Sequence, residues 1–163
     1  MQSIEPIWIT EARKHIGTRE IPGEKHEPKI IQWWKAIKRG GIKTDESPWC
    51  AAFVGGCLEA VGIVSSRYES AKSYLLWGMP LKVPALGCIV VFNREGGGHV
   101  GFVVGQDVRG RLMVLGGNQG NGVTIAPFDQ SRVSGYRWPA AIPLQLTPLP
   151  ILASEAQSSR NEA

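Results

Sequence analysis

The chain has 163 residues, of which 43% are hydrophobic and 20% charged, so it fits one domain with a buried core and is too apolar for general disorder. The formal net charge is +4, with basic residues concentrated before residue 44. No run of like charge marks a binding tail, so we interpret the charge as surface solubility and expect no nucleic-acid partner. Apolar runs are far shorter than the roughly 20 residues that span a bilayer, and no stable membrane insertion is expected.

The first half of the chain predicts helices. Apolar residues at helical spacing predict an amphipathic helix over residues 8–16. A second helix is predicted over Pro28–Ala36, with proline at its first position. The apolar run of residues 49–62 predicts a buried third helix, and a short helix is expected near residues 70–77.

The second half predicts strands. Four short runs rich in β-branched residues are bounded by Gly, Asn or Asp, at residues 88–92, 100–104, 111–115 and 122–126. Their separations are of hairpin length, which favours an antiparallel sheet. Helices followed by strands are typical of an α+β fold with the helices on one face of the sheet. We expect one domain over residues 1–142 and a flexible, proline-containing tail over residues 143–163.

The three cysteines Cys50, Cys57 and Cys88 form no C-x-x-C pair, and the three histidines lie far apart in the sequence. Neither a zinc site nor a disulfide framework is predicted, and no metal or cofactor is expected. The odd number of cysteines leaves at least one free thiol, unless it pairs between chains.

Cys50 opens the predicted third helix. A thiol at a helix N-terminus is easier to ionise, because the unpaired N–H groups and the helix dipole favour the thiolate. The alternative is that Cys50 is a small apolar core residue. Cys57, two turns deeper on nearly the same helical face, is interpreted as core.

His99 enters a predicted strand directly after three glycines. A histidine there can accept a thiol proton, and its pairing with Cys50 is what favours catalysis over an ordinary surface or core residue. The next strand ends in a stretch that contains Asn118, whose amide could orient the imidazole. A glycine-rich hairpin turn is the equally weighted alternative for Asn118.

These motifs, in this order, resemble the CHAP and NlpC/P60 superfamily of papain-like cell-wall hydrolases, in particular its small single-domain bacterial and prophage members. The segments that carry the resemblance are residues 17–23, 48–54, 77–78, 87–92, 99–103, 115–119 and 136–139. The resemblance implies a papain-like fold, with N-terminal helices packed on a four- to six-stranded antiparallel sheet. It also implies Cys50 as nucleophile, His99 as base and a polar third member that maps to Asn118, with Gln119 as the weaker candidate.

The resemblance suggests that Trp49, Glu20 and Gln119 contact the substrate. For Glu20, a structural cap on the turn at residues 21–23 is the alternative interpretation. No metal ligands are predicted, since Asp45 and Glu46 lack the spacing of a calcium loop. The backbone N–H of Cys50 is expected to help stabilise the oxyanion.

The activity that the resemblance implies is hydrolysis of an amide bond in peptidoglycan by a monomeric cysteine hydrolase. The enzyme would be either an N-acetylmuramoyl-L-alanine amidase or an endopeptidase of the stem peptide or crossbridge. Two alternatives stay open: a papain-like protease or amidase acting on a protein, and a non-catalytic wall-binding module.

The first residues of the chain carry acid and proline where a secretory signal has a basic start and an apolar core, so Sec export is not expected. We expect synthesis in the cytoplasm and action in the periplasm or cell wall. Delivery would follow phage lysis through a holin lesion, as for an endolysin, or specialised secretion, as for an antibacterial toxin with an immunity protein.

Overall fold

The structure is a computed structural model that describes residues 5–21, 26–43, 48–94 and 96–153. Three α-helices come first: α1, Ile7–Arg13; α2, Pro28–Ala36; and α3, Cys50–Ala60. Six strands follow: β1, Met79–Leu81; β2, Ile89–Arg94; β3, Gly97–Gln106; β4, Leu112–Gly116; β5, Thr124–Phe128; and β6, Val133–Trp138. Two 3₁₀ helices lie at Ala71–Leu76 and Gln130–Arg132.

The strands form one antiparallel sheet in the order β1-β6-β2-β3-β4-β5. The predicted α+β class is therefore confirmed, and the sheet has the largest number of strands expected. The helix α3 packs on β3 on one side and on α1 and α2 on the other, which explains why its residues 50–58 are all buried. Among the described residues, no helix is both long and apolar enough to cross a bilayer.

The helix predictions differ from the structure mainly at the helix ends. The prediction for α2 is confirmed at both ends. The first helix stops at Arg13, because the N–H groups of His15 and Ile16 bond the carbonyls three residues back and tighten the chain into turns. The short helix expected near residues 70–77 is a 3₁₀ helix.

Two strands were not predicted, because neither carries a β-branched run. The strand β1 has only three residues, one of them Pro80, and lies at the sheet edge, where proline is tolerated. The strand β6 includes Ser134, Gly135 and Arg137 and pairs with both β1 and β2. The strand β3, predicted from the run at residues 100–104, begins earlier than predicted, at Gly97.

Part of the expected flexible tail is held against the sheet. The N–H of Gln106 at the end of β3 donates to the Pro150 carbonyl at 2.9 Å, and the Leu152 N–H donates to the Gln106 carbonyl at 2.8 Å. A side chain at Gly105 would overlap with Leu152, so the close approach depends on that glycine. Residues 154–163, also expected to be flexible, lie outside the described residues.

A polar network fixes the connection that follows α3. The carboxylate of Glu59 accepts hydrogen bonds from the N–H and hydroxyl of Ser65 and from the Arg67 guanidinium, at 2.8–3.1 Å. Burial alone would raise the pKa of Glu59, but these hydrogen bonds outweigh it and leave the pKa below its usual value. A lowered carboxyl pKa stabilises the fold above the pKa of the unfolded chain, and the benefit is lost as the pH falls through the folded pKa.

We expect Glu59→Gln to lower the free energy of unfolding by about 1–2 kcal/mol at pH 7. The effect is smaller than for a buried ion pair, because Arg67 is partly exposed and solvent screens its charge. The difference from the wild type should shrink as the pH falls below the ordinary Glu pKa of about 4.3, and vanish once the Glu59 carboxyl is protonated in the folded state as well. Urea unfolding at a series of pH values measures it. Glu69→Gln, which alters an exposed ion pair with Arg39, is the matched control and should change stability by less than about 0.5 kcal/mol. A difference for Glu59→Gln that does not depend on pH would contradict the assignment.

Candidate active site

The nucleophile candidate Cys50 is the first residue of α3, directly after Trp49. Its side chain is 4% exposed. The N–H groups of Val100 and Ala51 lie close enough to the sulfur to lower the pKa of its thiol. The N-terminus of α3 is thus docked on the start of β3, with the sulfur beside the peptide that joins His99 to Val100.

The imidazole of His99 is fully buried and lies in a group of nearly parallel rings. Its centroid is 5.4 Å from that of Phe128 at 11° and 6.3 Å from that of Phe92 at 21°. Phe92 and Phe128 stack on each other at 4.5 Å, and the guanidinium of Arg132 lies 5.5 Å from the Phe128 centroid. This packing fixes the plane of the imidazole.

The amide of Gln119 determines which way the imidazole presents its nitrogens. The Nε2 of Gln119 donates to the Val114 carbonyl at 3.2 Å, to the Thr124 carbonyl at 2.9 Å and to the Thr124 hydroxyl at 3.1 Å. Its oxygen therefore faces His99, where Oε1 lies 2.9 Å from the ring Nε2. Because this oxygen only accepts hydrogen bonds, the ring Nε2 must carry the hydrogen, and in the neutral ring Nδ1 holds the basic lone pair.

The turn after β4 brings Gln119 to the ring. Asn118 has a φ of 60°, a left-handed conformation that asparagine tolerates, and the Gln119 N–H closes the turn on the Gly122 carbonyl at 2.9 Å. The Gln119 side chain then passes over Gly116, where an added Cβ would overlap with Gln119 Oε1 and lie 3.4 Å from His99 Nε2. The amide on the ring Nε2 is thus that of Gln119, the weaker of the two sequence candidates, and the role predicted for Asn118 stays a prediction.

The predicted substrate contacts differ in their surroundings. Trp49 is fully buried, stacks on Trp33 with centroids 5.8 Å apart, and donates its indole N–H to Glu20 at 2.7 Å. Gln119 is 3% exposed and its amide is occupied by the contacts described above. Both side chains are buried, so the structure gives no support to a substrate contact by either, and the two contacts stay predictions. Glu20 is half-buried and is committed, through one carboxylate oxygen, to Trp49.

The pKa of the Cys50 thiol departs from the expectation based on helix position. Burial raises it, and this effect outweighs the lowering by the Val100 N–H, the positive charge of Arg94 and the Ala51 N–H. The resting state at neutral pH is thus the thiol. A base beside the sulfur must take the proton when the nucleophile attacks, which is the role that the lone pair on His99 Nδ1 can perform.

The other two cysteines lie in the core. Cys57 is 1% exposed and Cys88 fully buried. Burial raises the pKa of Cys57 well above its usual value and that of Cys88 to about 12. Both thiols are therefore unreactive at neutral pH. In the part of the chain that the structure describes, no three His, Cys, Asp or Glu side chains cluster in a way that could hold a metal ion.

Replacing Gln119 by leucine should reduce kcat while leaving the backbone in place. A neutral amide orients the imidazole without adding charge, so we expect a loss of roughly 10–100-fold, less than the roughly 10⁴-fold loss when the carboxylate of a Ser-His-Asp triad is neutralised. Hydrolysis rates, with thermal unfolding to confirm folding, measure it.

Asn118→Gly is the matched comparison for Gln119→Leu, because glycine accepts the positive φ of residue 118. We expect it to retain at least about a third of the wild-type rate, since it leaves the imidazole contact intact. A larger loss for Asn118→Gly than for Gln119→Leu, at equal stability, would return the orienting role to Asn118.

The family model of the CHAP domain matches residues 42–118. Within these residues the chain is similar to the CHAP domain. The resemblance drawn from the sequence motifs is thereby confirmed, and the CHAP domain indicates a hydrolase of the amidase or peptidase type that belongs with peptidoglycan hydrolases. A search of curated proteins found no match.

The matched segment of the CHAP domain contains Cys50 and His99 and stops one residue before Gln119. Glu20 precedes it. Sequence reasoning also did not anticipate the Val100 N–H on the sulfur or the Phe128 ring beside the imidazole. The antiparallel pairing that brings Phe92 opposite His99 was the signal that could have indicated the ring group.

Proposed function

We propose that this protein is a cysteine hydrolase that cleaves an amide bond in peptidoglycan, with Cys50 as nucleophile, His99 as general base and Gln119 as the residue that orients the base. The observation that carries the proposal is the approach of the Cys50 sulfur to the N–H of Val100, the residue directly after His99, whose ring Nε2 is held by Gln119. The CHAP match supports the substrate class.

The proposed reaction follows from the positions of these groups. His99 Nδ1 takes the Cys50 proton as the sulfur attacks the amide carbonyl, and the resulting oxyanion is stabilised by the N–H groups at the start of α3. The C–N bond then breaks, and the leaving amine receives the proton from His99. Water, deprotonated by the same nitrogen, attacks the thioester and releases the carboxylic acid and the Cys50 thiol.

Defined muropeptides test the substrate assignment. The purified protein would be incubated with a disaccharide tetrapeptide and with a cross-linked dimer, and the products identified by mass spectrometry. Release of free disaccharide indicates an amidase that cuts between muramic acid and L-alanine, whereas conversion of dimer to monomer, or a shortened stem, indicates an endopeptidase. Hydrolysis of a denatured protein substrate with all muropeptides left intact would contradict the proposal and favour the protein-directed alternative.

The proposal extends to the place of action, the periplasm or cell wall, reached after phage lysis or by specialised secretion. Production of the protein in a bacterial host with and without a fused export signal separates the compartments. Lysis only when the protein is exported supports action on the wall. Equal toxicity of the Cys50→Ala variant in either compartment would count against it.

A further inference from the structure

The residue before the nucleophile candidate is held by a hydrogen bond to a residue outside α3. Trp49 directly precedes Cys50, and its indole N–H donates to Glu20 Oε1 at 2.7 Å. A bond to a carboxylate is shorter and stronger than one between neutral groups. The ring of Trp49 is fully buried, so Glu20 fixes the residue from which α3 starts.

The backbone around Glu20 is bound to the turn that carries Gln119. The Glu20 N–H donates to the Asn121 carbonyl at 3.0 Å, and the Val123 N–H donates to the Thr18 carbonyl at 2.8 Å. The guanidinium of Arg19 donates to the Gly120 carbonyl at 2.9 Å. Residues 17–20 therefore run alongside residues 119–123 as a short additional ribbon.

The turn also packs directly on the Trp49 ring. A Cβ at Gly117 would lie 2.7 Å from Trp49 Cζ3 and 2.6 Å from Phe53 Cβ, closer than real side-chain carbons approach. The Trp49 ring thus lies between this turn and Trp33 of α2. The two parts of the site, nucleophile and base-orienting amide, meet on this one ring.

We propose that Glu20 is a positioning residue that sets the Cys50 sulfur relative to His99, because its side chain holds Trp49 while its backbone holds the turn of Gln119. The effect of Glu20 on catalysis rests on the proposed function. Its effect on the position of Cys50 can be tested by the reactivity of the thiol alone. The positioning role replaces the substrate-contact role predicted for Glu20 from the sequence.

Alkylation of Cys50 by iodoacetamide tests the inference without any substrate. The buried Cys57 and Cys88 provide internal references for slow labelling. The rate would be followed from pH 6 to 10 by peptide mass spectrometry, together with kcat and KM on muropeptides. The charged group that acts on the pKa of Cys50 is Arg94 from β2, and the proposed base His99 lies on β3 directly before Val100. Both stay in every variant.

Loss of the carboxylate in Glu20→Ala should lower kcat by about 10-fold or more with KM within about twofold, because a displaced nucleophile costs rate rather than binding. The pH midpoint of alkylation should shift by at least about half a unit. Glu20→Gln keeps an acceptor for the indole and should restore kcat to within about threefold. Trp49→Phe removes the indole donor together with part of the buried ring. It should reproduce the alanine phenotype and serves, with unfolding measured in parallel, if Glu20→Ala does not fold.

Glu11→Ala is the matched control. Glu11 also accepts a hydrogen bond from an aromatic ring nitrogen, that of His15 at 2.9 Å, but lies on α1. The inference is overturned if Glu20→Ala and Glu11→Ala lower stability alike and both leave the alkylation profile unchanged. It is also overturned if Glu20→Ala raises KM alone, as a substrate contact would. If the wild type hydrolyses no muropeptide, the proposed function fails, while the alkylation profiles still decide the position of Cys50.

Discussion

Replacing Cys50 by alanine should abolish hydrolysis while leaving the fold intact. In the proposed mechanism the sulfur attacks the carbonyl. Removing the nucleophile of a comparable serine hydrolase lowers kcat by about 10⁶-fold, so we expect a loss on the order of 10⁴–10⁶-fold. The side chain is small and lies at the first residue of the helix, so the melting temperature should change by only a few degrees, about 1 kcal/mol or less.

Cys57→Ala is the matched control, since it removes a thiol from the same helix seven residues later. Its side chain is buried in the core, so the variant should lose about 1–2 kcal/mol of stability and retain activity within about threefold. Equal loss of activity in the two variants would mean that the effect is structural. Residual hydrolysis above about 1% of the wild type in Cys50→Ala would indicate a different nucleophile.

Replacing His99 by alanine should produce the second largest loss, on the order of 10⁴-fold in kcat/KM at pH 7. Burial raises the pKa of the Cys50 thiol, so in this variant the thiol stays protonated at neutral pH. The variant has no base that could remove this proton. The residual rate should therefore increase continuously with pH as the thiolate fraction grows. Rates measured from pH 6 to 10 test this dependence.

His26→Ala is the comparison for the loss of a histidine and should leave the pH profile of the wild type unchanged. The ring of His99 also packs on Phe128, so unfolding must be measured in parallel, with an expected cost of about 3 kcal/mol or more for the cavity. A His99→Ala variant that is stable and as active at pH 7 as the wild type would show that His99 is not the base.

The positions of Cys50 and His99 in the fold, though not their roles, could be predicted from the sequence, because each lies next to the start of a strongly patterned run. The apolar run that becomes α3 starts at Cys50, and the β-branched run of β3 begins directly after His99. Helix and sheet order then bring the two boundaries together.

The choice between Asn118 and Gln119 could not be predicted from the sequence in the same way. Which of two adjacent amides faces the ring depends on the left-handed φ of Asn118 and on the space that Gly116 leaves. Both are tertiary details of one turn. The role of Trp49 was hidden for a similar reason, since its partner Glu20 lies 29 residues away in the sequence.

The thiol pKa shows how burial can outweigh local position. The helix N-terminus favours a thiolate at Cys50, and the N–H of Ala51 does lower its pKa. The core packed around α3 excludes water from the same sulfur. This desolvation raises the pKa of the thiol by more than the N–H groups lower it. A sequence pattern indicates the helix end but not the extent of burial around it.

The central claim is that Cys50 and His99 hydrolyse an amide bond in peptidoglycan. Its most direct test is incubation of purified sacculi with the wild type and with Cys50→Ala, followed by mass spectrometry of the soluble products. The account predicts fragments with new amine and carboxyl ends from the wild type alone. Absence of such fragments with the wild type, across sacculi of different stem and crossbridge chemistry, would contradict it.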